Sequence, residues 1–352
     1  MTQIKSNTIN KNVWEIVQEM KCGWNLGNSL DAIGIEKPLE TVLEYETSWG
    51  NPKITKELIQ KVINSGFNTI RIPVTYQGKF EHKPGHIIDP VWLDRVEEVV
   101  NYAYEEGVFV IIDTHHEDEW LGLGDKSQEE KALVILYDLW IQIAERFKDY
   151  DYHLIFETMN ETRLIGTDDE WTPGTPEARA VINQLNEVAV KAIRKTGSNN
   201  SNRAIIIPTY AARPSDVAIN DLIIPNDNMI ILAVHSYDPY FFCMVPEETA
   251  HWGTTQDEEE LSKLFDSISL AAKRKGVPLI IGEFGTINKC NEEARALYTT
   301  RFMQEARKRD IKCILWDNDI NTDFLEHSFA QLDRKELSWR YPMILNAILQ
   351  NS

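Results

Sequence analysis

Residues Val108–Glu117 read VFVIIDTHHE. Five apolar residues stand in a row with no polar alternation, which describes a short strand covered on both faces, as in a parallel sheet packed between helices. The run then breaks into an acid and two histidines, so the chain leaves the core straight into polar chemistry. Upstream, Asp89 and Pro90 form an N-cap and N1 pair for a helix over Pro90–Glu105, with Leu93, Val96, Val100 and Ala103 three and four apart. Gly107 closes that helix.

The same strand-then-helix unit recurs along the whole chain. The reading gives strands at Cys22–Leu26, Thr69–Ile72, Val108–Asp113, His153–Phe156, Ala204–Ile207, Met229–Val234, Pro278–Ile281 and Lys312–Leu315. The helices fall at Lys53–Asn64, Pro90–Glu105, Gln128–Phe147, Glu177–Lys195, Ser215–Ile219, Glu258–Lys275, Glu292–Lys308 and Tyr341–Leu349. Gly66, Gly197 and Gly276 follow helical patterns as Gly107 does. Eight units predict an α/β fold, a closed (β/α)₈ TIM barrel. No Pro/Gly/Ser linker or repeat divides the chain, so residues 1–352 are expected to form a single catalytic domain. The alternative, an open doubly wound sheet, needs a phosphate loop after strand one, and GWNLGN (23–28) is not GxGxxG.

Composition excludes more than it selects. Acidic residues outnumber basic ones 55 to 36, a net charge of −19 that repels phosphate backbones and anionic lipid. Neither nucleic acid nor membrane is therefore an expected partner, whereas a neutral polysaccharide meets no such penalty. The four cysteines, Cys22, Cys243, Cys290 and Cys313, show no zinc spacing and are expected as free thiols. No metal and no cofactor are expected. The start, MTQIKSNTIN, lacks the apolar stretch of a signal peptide. A secreted protein whose leader was removed is the expectation, and an intracellular one the alternative.

A barrel of this type does its chemistry where the strands end. Here those ends are polar and aromatic: Trp24, Asn25 and Asn28; Arg71; His115 and His116; Asn160 and Glu161; His235 and Tyr237; Glu283; Trp316, Asp317 and Asn318. Each alone has an ordinary structural explanation as a cap, a core hydrogen bonder or an ion-pair partner. Their gathering on one rim is the signal. Two carboxyls on strands four and seven suit retaining glycoside hydrolysis, in which one protonates the leaving oxygen and the other attacks the anomeric carbon. Arg71 and Tyr237 would keep Glu283 ionised, and Glu161 would stay protonated beside it. Asn160 would bind the sugar 2-hydroxyl.

The tryptophans add a second argument. Trp92 and Trp140 sit in helices and are expected in the core, while Trp24, Trp49, Trp120, Trp171, Trp252 and Trp316 fall at strand ends or in loops and would line an extended cleft. Two rival readings use the same residues. A metal-dependent hydrolase would draw on Asp113, His115, His116, His235 and the two Glu residues, but adjacent histidines on an extended strand point to opposite faces. A carbohydrate-binding barrel would use the aromatics without catalysis.

The motifs GWNLGNSLDA (23–32), SWGNP, RIPVTY, THHE, HLIFETMNE, VHSYDPYFF, IGEFG and LWDND (315–319), in this order, resemble glycoside hydrolase family 5, the large cellulase family, and within it subfamily 4. The resemblance spans nearly the whole chain. It implies a (β/α)₈ barrel and retaining endo-β-1,4-glucanase activity on cellulose-type or mixed-linkage glucans, with xyloglucan, mannan or xylan as alternatives. It assigns the acid/base to Glu161 and the nucleophile to Glu283, supported by Arg71, His115, Asn160, His235, Tyr237 and Trp316. Asn28, Trp49 and His116 are expected at the substrate, a β-glucan, and the protein is expected to be a monomer. Four positions depart from the pattern: Thr162 stands where Pro is usual, Leu315 where Trp is often found, Asp319 where Gly is often found, and Asp113 where Asn is common.

Overall fold

The computed structural model describes residues 11–34 and 40–352, so the leader reading of residues 1–10 lies outside the described part. Eight parallel strands close into a barrel in chain order. The order is α1 (Val13–Glu19), β1 (Cys22–Asn25), α2 (Lys56–Ser65), β2 (Thr69–Ile72), α3 (Pro90–Tyr104), β3 (Phe109–Asp113), α4 (Lys126–Arg146) and β4 (Leu154–Glu157). Then come α5 (Pro176–Lys195), β5 (Ile205–Pro208), α6 (Asp216–Asp221), β6 (Ile230–Ser236), α7 (Tyr240–Cys243), α8 (Thr255–Lys275), β7 (Leu279–Phe284), α9 (Glu292–Lys308) and β8 (Lys312–Leu315). A hairpin of β9 (Leu332–Asp333) and β10 (Ser338–Trp339) precedes α10 (Pro342–Asn351).

Local chemistry sets the helix ends. Asp89 accepts from Val91 N at 2.8 Å with Pro90 at the first turn. Thr254 and Asp257 cap α8 reciprocally, and Gly276 ends it in the left-handed region at φ 72°. α1 was not anticipated, although Asn12 and Glu15 form a capping box in front of its apolar residues.

Two apolar layers hold the barrel. The outer one lies between strands and helices and contains Trp92 and Trp140, both fully buried as expected. The inner one fills the barrel with Phe109, Ile111, Ile155, Ile206, Ile231, Ile280 and Ile314, and Val13, Ile16 and Val17 of α1, with Met20 just after it, pack against it. The barrel is thus a filled core with its N-terminal end plugged. Four strands run further than the sequence reading placed them: β4 includes Glu157, β5 includes Pro208, β6 includes His235 and β7 includes Glu283. In β7 the register slips, with Val234 opposite Ile281 but His235 opposite Glu283. The irregularity at Gly282 re-aims the next side chain, which is how Glu283 reaches the barrel mouth.

Candidate active site

Arg71 is the hub of the C-terminal mouth, fully buried on β2. Its Nη1 donates to Glu283 Oε1 at 2.8 Å and Asn25 Oδ1 at 3.0 Å. Its Nη2 donates to Asp113 Oδ2 and Asn160 Oδ1, both at 2.8 Å, and its Nε to Glu157 Oε2 at 2.6 Å. All five N–H groups of the guanidinium point at β1, β3, β4 and β7 or the turns after them, so one cation fixes their relative positions.

The two carboxyls predicted to act together do meet. An oxygen of Glu161, an oxygen of Glu283 and a nitrogen of His235 all lie within 4.8 Å of one another. That matches the roughly 5–5.5 Å carboxyl spacing of retaining glycosidases rather than the wider inverting spacing. Glu283 also accepts from Tyr237 Oη at 2.8 Å. Glu161 contacts His235 Nδ1 at 2.6 Å and keeps 18% of its side chain accessible, against 6% for Glu283.

Burial pushes both acids upward, Glu283 to about 7, where the Glu161 charge adds to the rise while His235, Arg71 and Tyr237 oppose it. The two titrate as a pair, and the donors decide where the single proton of the half-ionised state resides. Glu283 receives a guanidinium and a phenol, both of which favour the carboxylate. Glu161 has only the imidazole, which burial holds below its usual value and so neutral near pH 7. Hydrogen bonding thus favours the carboxylate more strongly at Glu283 than at Glu161.

His115 lies beyond the end of β3. Its Nδ1 meets Asp113 Oδ2 at 2.7 Å, and Asn160 Nδ2 meets its Nε2 at 3.3 Å. The Trp316 ring stacks on His115 with centroids 5.9 Å apart and planes 4° from parallel. A Cβ on Gly27 would come within 2.7 Å of Trp316, which is why GWNLGN carries glycine there. Trp49 packs on His116 at 5.6 Å and donates to Ile33 O. Asn28, half-buried at φ 57°, lies at the edge of the same mouth, where Asn51 Nδ2 donates to its carbonyl at 2.7 Å.

Several expectations are corrected. His115 and His116 do not face opposite ways: β3 ends at Asp113, so the two lie beyond the strand, and their ring centroids are 4.4 Å apart. Trp24 is fully buried in the outer layer and bonds Asp317 Oδ2, and Trp120 and Trp252 are buried as well. Of the loop tryptophans, Trp49 and Trp171 keep accessible surface, while Trp316 is as buried as Trp120 and adjoins the acids' mouth through His115. Trp171 is 51% exposed, with the Arg163 guanidinium 4.3 Å over its ring.

Leu315 is a buried residue of β8, and the other three departures have local contacts of their own. Asp113 accepts from Arg71 and His115 on one oxygen and from Val74 N on the other, a demand no Asn side chain meets. Asp319 sits at φ 57°, where glycine is natural and Asp is tolerated, and it turns away to pair with Arg340 at 3.0 Å. Thr162 is buried with its hydroxyl against Met159 Sδ. The reading missed Glu157 because it ended the strand at Phe156.

Among the described residues two clusters could be drawn as metal sites, Glu161/His235/Glu283 and Asp31/His115/His116. In the first, both Glu283 oxygens are taken by Arg71 and Tyr237, and a cation would displace a guanidinium. In the second, Asp31 is held by Asn28 N and Ser29 N, and both His115 nitrogens are engaged. Neither donor set suits a metal ion.

The family model for cellulase, glycosyl hydrolase family 5, matches residues 34–322. The chain is 44% identical over 339 residues to the cellulase/esterase CelE of Acetivibrio thermocellus, covering 96% of this chain and 40% of that protein. It is 45% identical over 340 residues to endoglucanase A of Clostridium longisporum, covering 96% of this chain and 65% of that one. The chain thus spans less than two thirds of the length of these relatives. A solved GH5-4 broad specificity endoglucanase from Ruminococcus champanellensis with bound cellotriose superposes at TM-score 0.92 with 39% identity, over 96% of this chain and 98% of that one. The chain belongs to glycosyl hydrolase family 5.

Proposed function

We propose, from this membership of glycosyl hydrolase family 5, that the chain is a retaining endo-β-1,4-glucanase whose barrel works as one catalytic domain and as a monomer. The observation that carries the reading is the carboxyl pair: Glu161 with His235 and Glu283 with Arg71 and Tyr237, oxygens within 4.8 Å.

Glu161 gives its proton to the glycosidic oxygen as that bond breaks, and Glu283 attacks the anomeric carbon to form an ester. Glu161, now a carboxylate, takes a proton from water, and the water oxygen displaces Glu283. Two displacements return the β configuration. Asn160 Oδ1 is held by Arg71, which fixes the amide for contact with the 2-hydroxyl. Trp316 offers a ring face to the sugar bound at the acids, and Trp49 extends the surface beyond it.

The substrate is a neutral β-1,4-linked glucan, cellulose-type or mixed-linkage, and the relatives named as endoglucanases support this. Polymers of this kind do not cross membranes, which supports action outside the cell; no described helix is long and apolar enough to span a membrane. The test is reducing-sugar release from carboxymethylcellulose, barley β-glucan, xyloglucan, mannan and xylan, with wild type and Glu283→Gln, with and without chelator. Release from glucans, lost in the variant and indifferent to chelator, is expected. Strongest release from mannan or xylan would overturn the substrate, and loss with chelator would overturn the mechanism.

A further inference from the structure

Glu161 stands beyond the end of β4, in a stretch with no regular structure. Its neighbours are tied to the barrel wall: Asn160 N donates to Thr114 O at 3.0 Å, and Thr162 O accepts from Ala211 N at 3.0 Å. The main chain of Glu161 is tied differently. Among the described residues its one hydrogen bond comes from a side chain, Nη1 of Arg163, which donates to its carbonyl at 3.2 Å. The N–H of Thr162 donates to no described residue.

We propose that Arg163 is a positioning residue for the acid/base, whose guanidinium clamps the Glu161 carbonyl and so fixes the backbone from which that carboxyl projects. The proposal rests on the reading of Glu161 as acid/base.

The guanidinium is itself held. Its Nε donates to Glu170 Oε1 at 3.0 Å, with the two side chains 17% and 20% accessible. The Trp171 ring lies against its face, 4.3 Å from centroid to guanidinium carbon. An ion pair on one edge and a ring on the face fix the plane of the fork and leave Nη1 to the carbonyl. Glu170 is held in turn, its Oε2 accepting from Gly166 N at 2.8 Å. Tyr210, on the turn after β5, accepts from Leu164 N at 2.9 Å and donates to Asp169 O at 2.9 Å. Gly174 makes room for that ring, since a Cβ there would come within 2.7 Å of it. The loop is thus anchored on the barrel through Tyr210, and Arg163 passes the anchorage to Glu161.

The clamp acts on dihedral angles that the sequence leaves free. A bond from the Arg163 side chain to the carbonyl two residues back closes over ψ of Glu161 and both angles of Thr162. A proline at 162 would restrain the same stretch covalently, by fixing its own φ and confining the residue before it to extended conformations. Threonine does neither. Among the described residues the Glu161 carboxyl meets one hydrogen-bond partner, His235 Nδ1 at 2.6 Å, so the backbone carries the rest of its orientation. That orientation matters because a general acid must come within hydrogen-bond reach of the leaving oxygen, and a displacement of about 1 Å can cost on the order of 10²-fold in rate.

The test compares wild type with Arg163→Met, Thr162→Pro and the double variant, on unactivated glucan and on an aryl cellobioside with a good leaving group. Arg163→Met removes the clamp. It is expected to lower kcat on glucan roughly tenfold or more, and far less on the aryl cellobioside, which needs little protonation. Thr162→Pro gives up only an unpartnered N–H and a hydroxyl contact with Met159 Sδ, and is expected to keep wild-type rates. In the double variant the proline restores the restraint and is expected to recover most of the glucan rate. Arg163 also lowers the Glu161 pKa through its charge, and proline returns no charge, so recovery assigns the effect to position. Should Arg163→Met not fold, Arg163→Lys decides the matter: its ammonium is drawn to Glu170 and leaves the carbonyl, so the same selective loss and the same recovery by Thr162→Pro are expected. Equal losses on the two substrates, no loss, or no recovery with proline would overturn the proposal. If Glu161→Ala lost activity equally on both substrates, the acid/base reading itself would fail instead.

Discussion

Glu161 and Glu283 are the same residue type in one mouth, and their neighbours separate them. A guanidinium and a phenol address Glu283, and a neutral imidazole addresses Glu161. Glu161→Ala is therefore expected to slow hydrolysis of natural glucan by about 10²-fold or more, and to slow an aryl cellobioside with a good leaving group far less. Turnover rates on the two substrates check this, and equal losses would remove Glu161 from the role. The pH profile follows from the pair. Activity needs one proton on the two acids, and burial holds both carboxyls above their ordinary range. Rising pH strips the acid and falling pH protonates Glu283, and either lowers kcat/KM. An alkaline limb within the ordinary carboxylate range would contradict burial as the dominant influence. Arg71, His115, Asn160, His235, Tyr237 and Trp316 were legible because polar residues at the ends of apolar runs stand out. Glu157 was not, since only packing shows that it shares Arg71 with Asp113 and Glu283.

At the scale of elements, the sequence read strand number and order correctly, and strand ends early. Hydrophobicity stops where the barrel interior turns polar, but the ladder continues: β6 and β7 pair on through His235 and Glu283. The bulge that aims Glu283 leaves no mark in composition beyond a glycine. Loop tryptophans were over-read for the same reason in reverse. Sequence places Trp120 and Trp252 in loops, but only the fold shows that those loops fold inward. Trp171 differs, held on one face by Arg163 and open on the other, while Arg163 also donates to Glu161 O at 3.2 Å. Trp171→Ala is expected to raise KM for cello-oligosaccharides several-fold, in line with a stacking contact of about 1 kcal/mol, and to change kcat little. Steady-state kinetics on cellotetraose and cellopentaose would show it; an unchanged KM would remove Trp171 from the binding surface.

The whole molecule separates stability from chemistry along the barrel axis. The N-terminal end is apolar and plugged by α1, and the C-terminal end is polar and open. Ile16 in the plug is fully buried. Ile16→Ala should lower unfolding free energy by about 2–5 kcal/mol, measured by denaturant titration, with kcat on glucan retained. A large loss of kcat without loss of stability would mean that the two ends are coupled. The acidic surface, excess charge −19, is compatible with a neutral polymer and explains nothing finer about the substrate.

The central claim is that Glu283 becomes covalently attached to the sugar. The most direct measurement is trapping with a 2-deoxy-2-fluoro cellobioside bearing an activated leaving group, followed by peptide mass mapping. A single adduct on the peptide containing Glu283, absent in Glu283→Gln, is the predicted result. An adduct on another residue, or none with α-configured product released, would contradict the account.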